Sequence, residues 1–179
     1  MPTTPRRDPA ARRAARLLLA VAGALVSARL LGCAPASDAL RQLRTHEFHL
    51  PANQRACPTA AVRDVVVRVN AARRSARAPA LVRDATLARA ALVRTSSMAT
   101  ARRLSHAGWE RVVRAAGVTG QTLGENIAYN YSSAEKVMQS WLRSPGHRAN
   151  ILSTSFRRIG VGCVVDVTGK FWWVQDFGG

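Results

Sequence analysis

Reactive side chains are few in this chain, and they lie far apart. Two of its four histidines sit in runs of small and polar residues: His106 in Leu104-Ser105-His106-Ala107-Gly108, and His147 in Ser144-Pro145-Gly146-His147-Arg148-Ala149-Asn150-Ile151-Leu152. An imidazole that titrates near neutrality can serve as a general base or as a metal ligand. Each has a serine close by in the chain, Ser105 or Ser144, but adjacency in sequence does not create the nucleophile-to-base geometry of a hydrolase. The two imidazoles are 41 positions apart, and no compact His-Glu-x-x-His spacing holds a zinc ion on one helix face. His46 and His49 lie in an aperiodic stretch and read as solvated.

The cysteines carry chemistry of a different kind. Arg6, Arg7, Arg12, Arg13 and Arg16 precede the apolar run Leu17 to Ala28, which is the layout of a signal peptide over residues 1–32. The uncharged run is 12 residues long and is broken by Arg29 before it reaches bilayer length. Val26-Ser27-Ala28 offers an ordinary cleavage site, whereas Leu30-Leu31-Gly32-Cys33 resembles a bacterial lipobox, in which the cysteine is acylated. The lipobox is the preferred reading, with Cys33 as a lipid anchor. Cys57 and Cys163 then remain as a candidate disulfide in an oxidising compartment. The alternative is that both are small buried hydrophobes.

The chain carries a formal charge of +17. Residues 1–32 hold six Arg and one Asp, a net +5, which leaves +12 on the remainder. Such a charge favours anionic surroundings such as phospholipid, envelope polymers or nucleic acid. However, no zinc-finger spacing, basic-aromatic interleaving or recognition helix marks a specific nucleic-acid binder.

The elements that must position these residues can be read from periodicity. Residues 33–57 lack sustained patterning and read as a tether, with the folded domain at 58–179. Val62, Val65, Val66 and Val69 repeat at helical spacing, so the first helix forms despite the β-preference of valine. Asp84 is a candidate N-cap for a second helix carrying Leu87, Ala88, Ala91 and Leu92. Trp109, Val112 and Val113 form a third, which ends at Gly117. Ser132-Ser133-Ala134-Glu135 has capping-box spacing ahead of a fourth stripe, Val137, Met138, Trp141 and Leu142, which Pro145-Gly146 terminates. The period then changes to two, from Ile159 to Val167 and from Phe171 to Phe177, predicting a β-hairpin, with a further strand around Asn126 to Ala128.

Three stretches in order, Leu104 to Gly108, Gly124-Glu125-Asn126-Ile127-Ala128, and Trp141 followed by Ser144 to Leu152, resemble a bacterial CAP domain, the fold of cysteine-rich secretory proteins, antigen 5 and pathogenesis-related proteins. Val69-Asn70, Gly160-Val161-Gly162 and Trp173-Val174-Gln175-Asp176-Phe177-Gly178 agree with it. The resemblance covers about residues 60 to 179. It implies an α+β fold, a three-layer α-β-α sandwich around a small antiparallel sheet, with a ligand cleft where two His and two Glu converge. His106, Glu125 and His147 match three of the four. The fourth falls near Ser144, where the carboxylate is absent.

Two His and one Glu would leave a fourth zinc position for water, a catalytic-type shell. By this reading zinc or another divalent metal is the candidate cofactor, though none is required, and Glu125 is the candidate catalytic residue. Gly124 and Gly146 are expected to permit tight backbone paths beside the cluster, and Asn126 and Asn150 to satisfy local backbone groups. The function expected is that of an exported, envelope-associated binding module for a lipid, a small apolar ligand or an envelope polymer, held to a membrane through Cys33. A zinc-dependent hydrolase is the alternative.

Overall fold

The computed structural model describes residues 48–179. The expected signal peptide, the candidate anchor Cys33 and most of the expected tether lie outside them. In chain order the elements are β1 (Gln54–Ala56), α1 (Thr59–Ser75), β2 (Val82–Arg83), α2 (Ala85–Ala101), α3 (Trp109–Ala115), β3 (Leu123–Tyr129), α4 (Ala134–Arg143), α5 (Pro145–Leu152), β4 (Arg158–Asp166) and β5 (Phe171–Gly178).

The sheet runs β1-β4-β5-β3, and β2 pairs with β4 in parallel while the other pairings are antiparallel. Strand alternation sorts the two faces. Ile159, Val161, Cys163 and Val165 of β4 join Trp173 and Phe177 of β5 in a core with Val65 and Val69 of α1, Val137 and Trp141 of α4 and Ile151 of α5. On the opposite face, Ile127, Trp172 and Val174 meet Ala91 and Met98 of α2. The outer side of α2 packs on α3 through Leu87, Val93 and Val113. The result is the expected three-layer α+β sandwich.

Gly160 and Gly162 explain how close α2 lies to the sheet. A Cβ at Gly160 would enter the backbone of Leu87 and Ala88, and one at Gly162 the backbone of Ala91. The helix therefore rests on strand backbone, with no side chain between.

Local signals held at several termini. Asp84 caps α2 by accepting from the Leu87 amide at 2.9 Å. The chain leaves α3 through Gly117 at φ 96°, with Gly117 N donating to Arg114 O and Val118 N to Val113 O, the paired bonds of a Schellman turn.

Three expectations need correction. The cap of α4 is Ser133, which accepts from the Lys136 amide, so Glu135 is not in the capping-box position. The fourth helix stops just before Pro145 as expected, but the proline also opens a further helix that was not, α5, at the first helical position, where its missing N–H costs no bond. Finally, the folded body starts before residue 58. Residues 54–56 pair with Asp166, Val165 and Val164 as β1, and Phe48 packs against the α2–α3 core. Three residues are too few for alternation to show, so β1 reads as linker. Cys57 and Cys163 are joined in a disulfide across a sequence separation of 106.

Candidate functional site

Glu125 is the centre of the site. It sits on β3, an edge strand, and its side chain points to the α2 face with 1 % exposure. A carboxylate so buried requires compensation, and Arg94 supplies it from the middle of α2. Its Nε donates to Glu125 Oε1 at 2.9 Å and Nη2 to Oε2 at 3.3 Å. The same guanidinium donates to the carbonyls of Ser105 and Ala107, on either side of His106. Arg94 thus binds three pieces of chain together: α2, β3 and the loop bearing His106. The His106 ring completes the cluster, with Nδ1 3.1 Å from Glu125 Oε2, while the side chain remains half exposed.

His147 approaches from the other side of the edge strand. Asn126, next to Glu125 but facing the opposite layer, donates to the His147 carbonyl at 3.1 Å and to Gln175 Oε1 at 3.0 Å. Asn150 donates to Asn126 Oδ1 at 2.9 Å and to the Glu125 carbonyl at 3.2 Å. These amides tie α5 to β3 and β5; they are long-range ties, not the local backbone caps expected from sequence. Partial burial lowers the pKa of His147, and the nearby His106 lowers it further. Of the two imidazoles, only His106 is bonded to Glu125.

The remaining site residues divide. Gly124 is required by close approach, since a Cβ there would come 2.7 Å from the Phe156 ring. Gly146, in the first turn of α5, has open space around its Cβ position, so no tight path demands it. Ser144 is shared, ending α4 and starting α5, and its side chain makes no capping bond.

Sequence reasoning missed two members of the site. Arg94 is one. The other is Asp176 on β5, which pairs with Glu125 across the strands and is fully buried, with neither carboxylate oxygen hydrogen-bonded. Burial pushes its pKa well above the usual carboxylate range, and the charge of Glu125 pushes the same way against the opposing pull of Arg94.

The zinc shell expected from His106, Glu125 and His147 is not assembled. Among the described residues, no group of three or more His, Cys, Asp or Glu is placed to hold a metal ion. The physical reason is visible at Glu125: both oxygens face donors, one of them a buried guanidinium whose charge already neutralises the carboxylate and would repel a second cation.

Comparison with known proteins places this chain among relatives. A profile of the cysteine-rich secretory protein family (CAP) matches residues 66–177. The uncharacterized protein YkwD of Bacillus subtilis is 40% identical over 67 residues, 37% of this chain and 25% of that protein. The uncharacterized membrane protein YlbC of the same organism is 45% identical over 42 residues, 24% of this chain and 12% of its own length. The chain therefore matches only a minor part of these relatives. Among solved structures, an extracellular protein containing an SCP domain from Bacillus anthracis superposes with a TM-score of 0.61 at 29% identity, covering 66% of this chain and 40% of that one. An outer surface protein of Borrelia burgdorferi gives 0.64 at 18% identity, covering 69% and 96%, and so shares the fold.

Proposed function

The chain belongs to the cysteine-rich secretory protein family, and from that premise we propose that it is an exported, envelope-associated binding module for a lipid or other small apolar ligand, and not an enzyme. Export is supported by the extracellular and outer-surface descriptions of its structural relatives and by the leader-like residues 1–32. Anchoring at Cys33 follows from the lipobox-like sequence before it.

The observation that carries the non-catalytic reading is the engagement of Glu125. A general base needs a free lone pair aimed at solvent or substrate. Here one oxygen accepts from Arg94 and the other lies against both Arg94 and His106, inside a cluster that fixes the loop in place. Such a carboxylate braces the loop that carries His106. Support for an apolar ligand comes from a depression of about 310 Å³ beside the disulfide, where Phe48, Val62, Leu92 and Val161 contribute the walls. Depressions of this size, mostly hydrocarbon-lined, suit small apolar molecules.

The test is to purify the full chain from its native envelope, extract it with organic solvent, and analyse extract and protein by mass spectrometry and elemental analysis. The expected result is a copurified amphiphile with zinc far below one per chain. Consistently empty protein, or stoichiometric zinc with chelator-sensitive hydrolysis, overturns the proposal. Anchoring is read separately: a fatty-acid probe should label the wild type and not Cys33→Ser.

A further inference from the structure

A second depression, of about 540 Å³, lies at the far end of the edge strand, lined by Arg102, Arg103, Leu104, Tyr129, Asp166, Thr168 and Trp172. We propose that it is a binding site for an acidic saccharide. It is separate from the apolar depression beside the disulfide and does not rest on the lipid reading.

Three features of the lining specify the ligand. The first is an aromatic floor: Tyr129, 39% exposed, lies 4.3 Å from Trp172 between ring centroids. An exposed ring held against a buried cross-strand neighbour offers the C–H faces of a sugar a flat surface at little entropic cost. The second is a pair of exposed guanidiniums. Arg102 and Arg103 stand together where α2 ends, and the ion pairs among the described residues involve other groups. Arg102 takes φ 50° to end the helix, and residues 102–104 all line the depression. Guanidiniums recognise carboxylates through paired, charge-assisted hydrogen bonds.

The third is Asp166. Thr168 N, Thr168 Oγ1 and Lys170 N donate to its Oδ1, and Trp172 Nε1 donates to its Oδ2. Burial pushes its pKa up, but the hydrogen bonds from Thr168, Trp172 and Lys170 outweigh it and bring it down to about 2. The group is thus a fixed anion that can still accept at Oδ2. A hydrocarbon chain has nothing to give such a carboxylate, and a flexible phosphodiester chain meets the arginines but has no ring face to lay on Tyr129. A ligand that places hydroxyl donors beside one carboxylate, on a ring with an apolar face, satisfies all three features.

The position also suits a polymer. Tyr129 and Glu125 lie on one face of β3, four residues and so about 13 Å apart, and the loop from Arg102 to His106 runs beside both. An oligosaccharide seated on Tyr129 could extend along this rim toward His106.

The experiment uses the ¹⁵N-labelled full chain with tetragalacturonate, the neutral galactose tetramer and a glycerol phosphate oligomer of equal length as probes. The readout is the Trp172 indole N–H, which the structure holds against Asp166. Tetragalacturonate should shift this resonance and bind about tenfold or more tightly than the neutral tetramer, with the phosphate oligomer weaker than tetragalacturonate. Arg102→Asn/Arg103→Gln should lose about tenfold, and Tyr129→Ala a comparable factor. Asn is chosen at 102 because it tolerates the left-handed backbone. Equal binding of acidic and neutral tetramers, an arginine variant that folds and binds as wild type, or equal response to the phosphate oligomer each overturns the proposal. The comparison of probes on the unmutated chain decides even if a variant fails to fold.

Discussion

Replacing Arg94 with Met would leave Glu125 buried without its counter-ion, while its side chain has almost no access to water. Breaking one partner of a buried ion pair costs about 3–5 kcal/mol, which for a domain of this size lowers Tm by roughly 10–20 °C. Two further losses act in the same direction, because the Ser105 and Ala107 carbonyls also lose their donor. Glu125→Gln should cost less, since Arg94 keeps those two carbonyls. Arg94→Met/Glu125→Gln, in which no charge is stranded, should recover a large part of the single-variant loss. Urea denaturation of all four proteins gives the coupling energy directly. Hydrogen exchange at residues 105–107 should quicken in both Arg94 variants, because the loop has lost its clamp. An Arg94→Met variant that loses less than about 1 kcal/mol, or a cycle in which the two changes simply add, would refute the idea that this pair organises the site.

Other consequences follow from neighbouring groups. Asp176 has a raised native pKa, so it keeps its proton where the unfolded chain has lost it, and stability should fall as pH rises from the ordinary carboxylate range toward the native value, by up to about 1.4 kcal/mol per pH unit. Asp176→Asn should flatten that slope and be more stable than wild type at neutral pH; a slope unchanged in thermal melts between pH 4 and 8 would assign it elsewhere. Cys57→Ser/Cys163→Ser opens a loop of about a hundred residues, which the chain-entropy account values at about 4–5 kcal/mol, and reductant should have little further effect on that variant. Gly160→Ala forces a methyl group into the backbone of α2 and should cost about 3 kcal/mol or more, whereas Gly146→Ala, in open space within a helix, should leave the melt unchanged or slightly raised.

The parts of this fold that could be read from residues alone were those whose signals are local. Valines at 62, 65, 66 and 69 mark a helix because spacing, not β-preference, decides which face can be buried. Asp84 and Gly117 mark ends because each answers a specific backbone need within three residues of itself. Glu125 with His106 was accessible only through the pattern of the whole family, since 19 positions separate them and no period joins them.

Arg94 and Asp176 were overlooked although each leaves a trace. An arginine among Ala90, Ala91, Val93 and Met98, or an aspartate after Trp172, Trp173 and Val174, is a charge on a face otherwise being buried, and such a charge demands a partner or a shifted pKa. What sequence cannot supply is which partner. The same holds for the three residues read as metal ligands: a guanidinium arrives from a fourth element and takes the place beside Glu125 that a cation would occupy. Helix α5 was missed because a proline that stops one helix can also start the next, and the residue types around Pro145 signal only the stop.

The bond between Cys57 and Cys163 has a mechanical meaning. Any pull on the N-terminal stretch enters the domain through β1, a rim strand of three residues that could be peeled away one hydrogen bond at a time. Immediately behind it, the covalent link passes the load to β4, which is paired on both sides within the sheet. Traction applied ahead of β1 would therefore be borne by the whole sandwich at once, and the domain would yield only when its central sheet does.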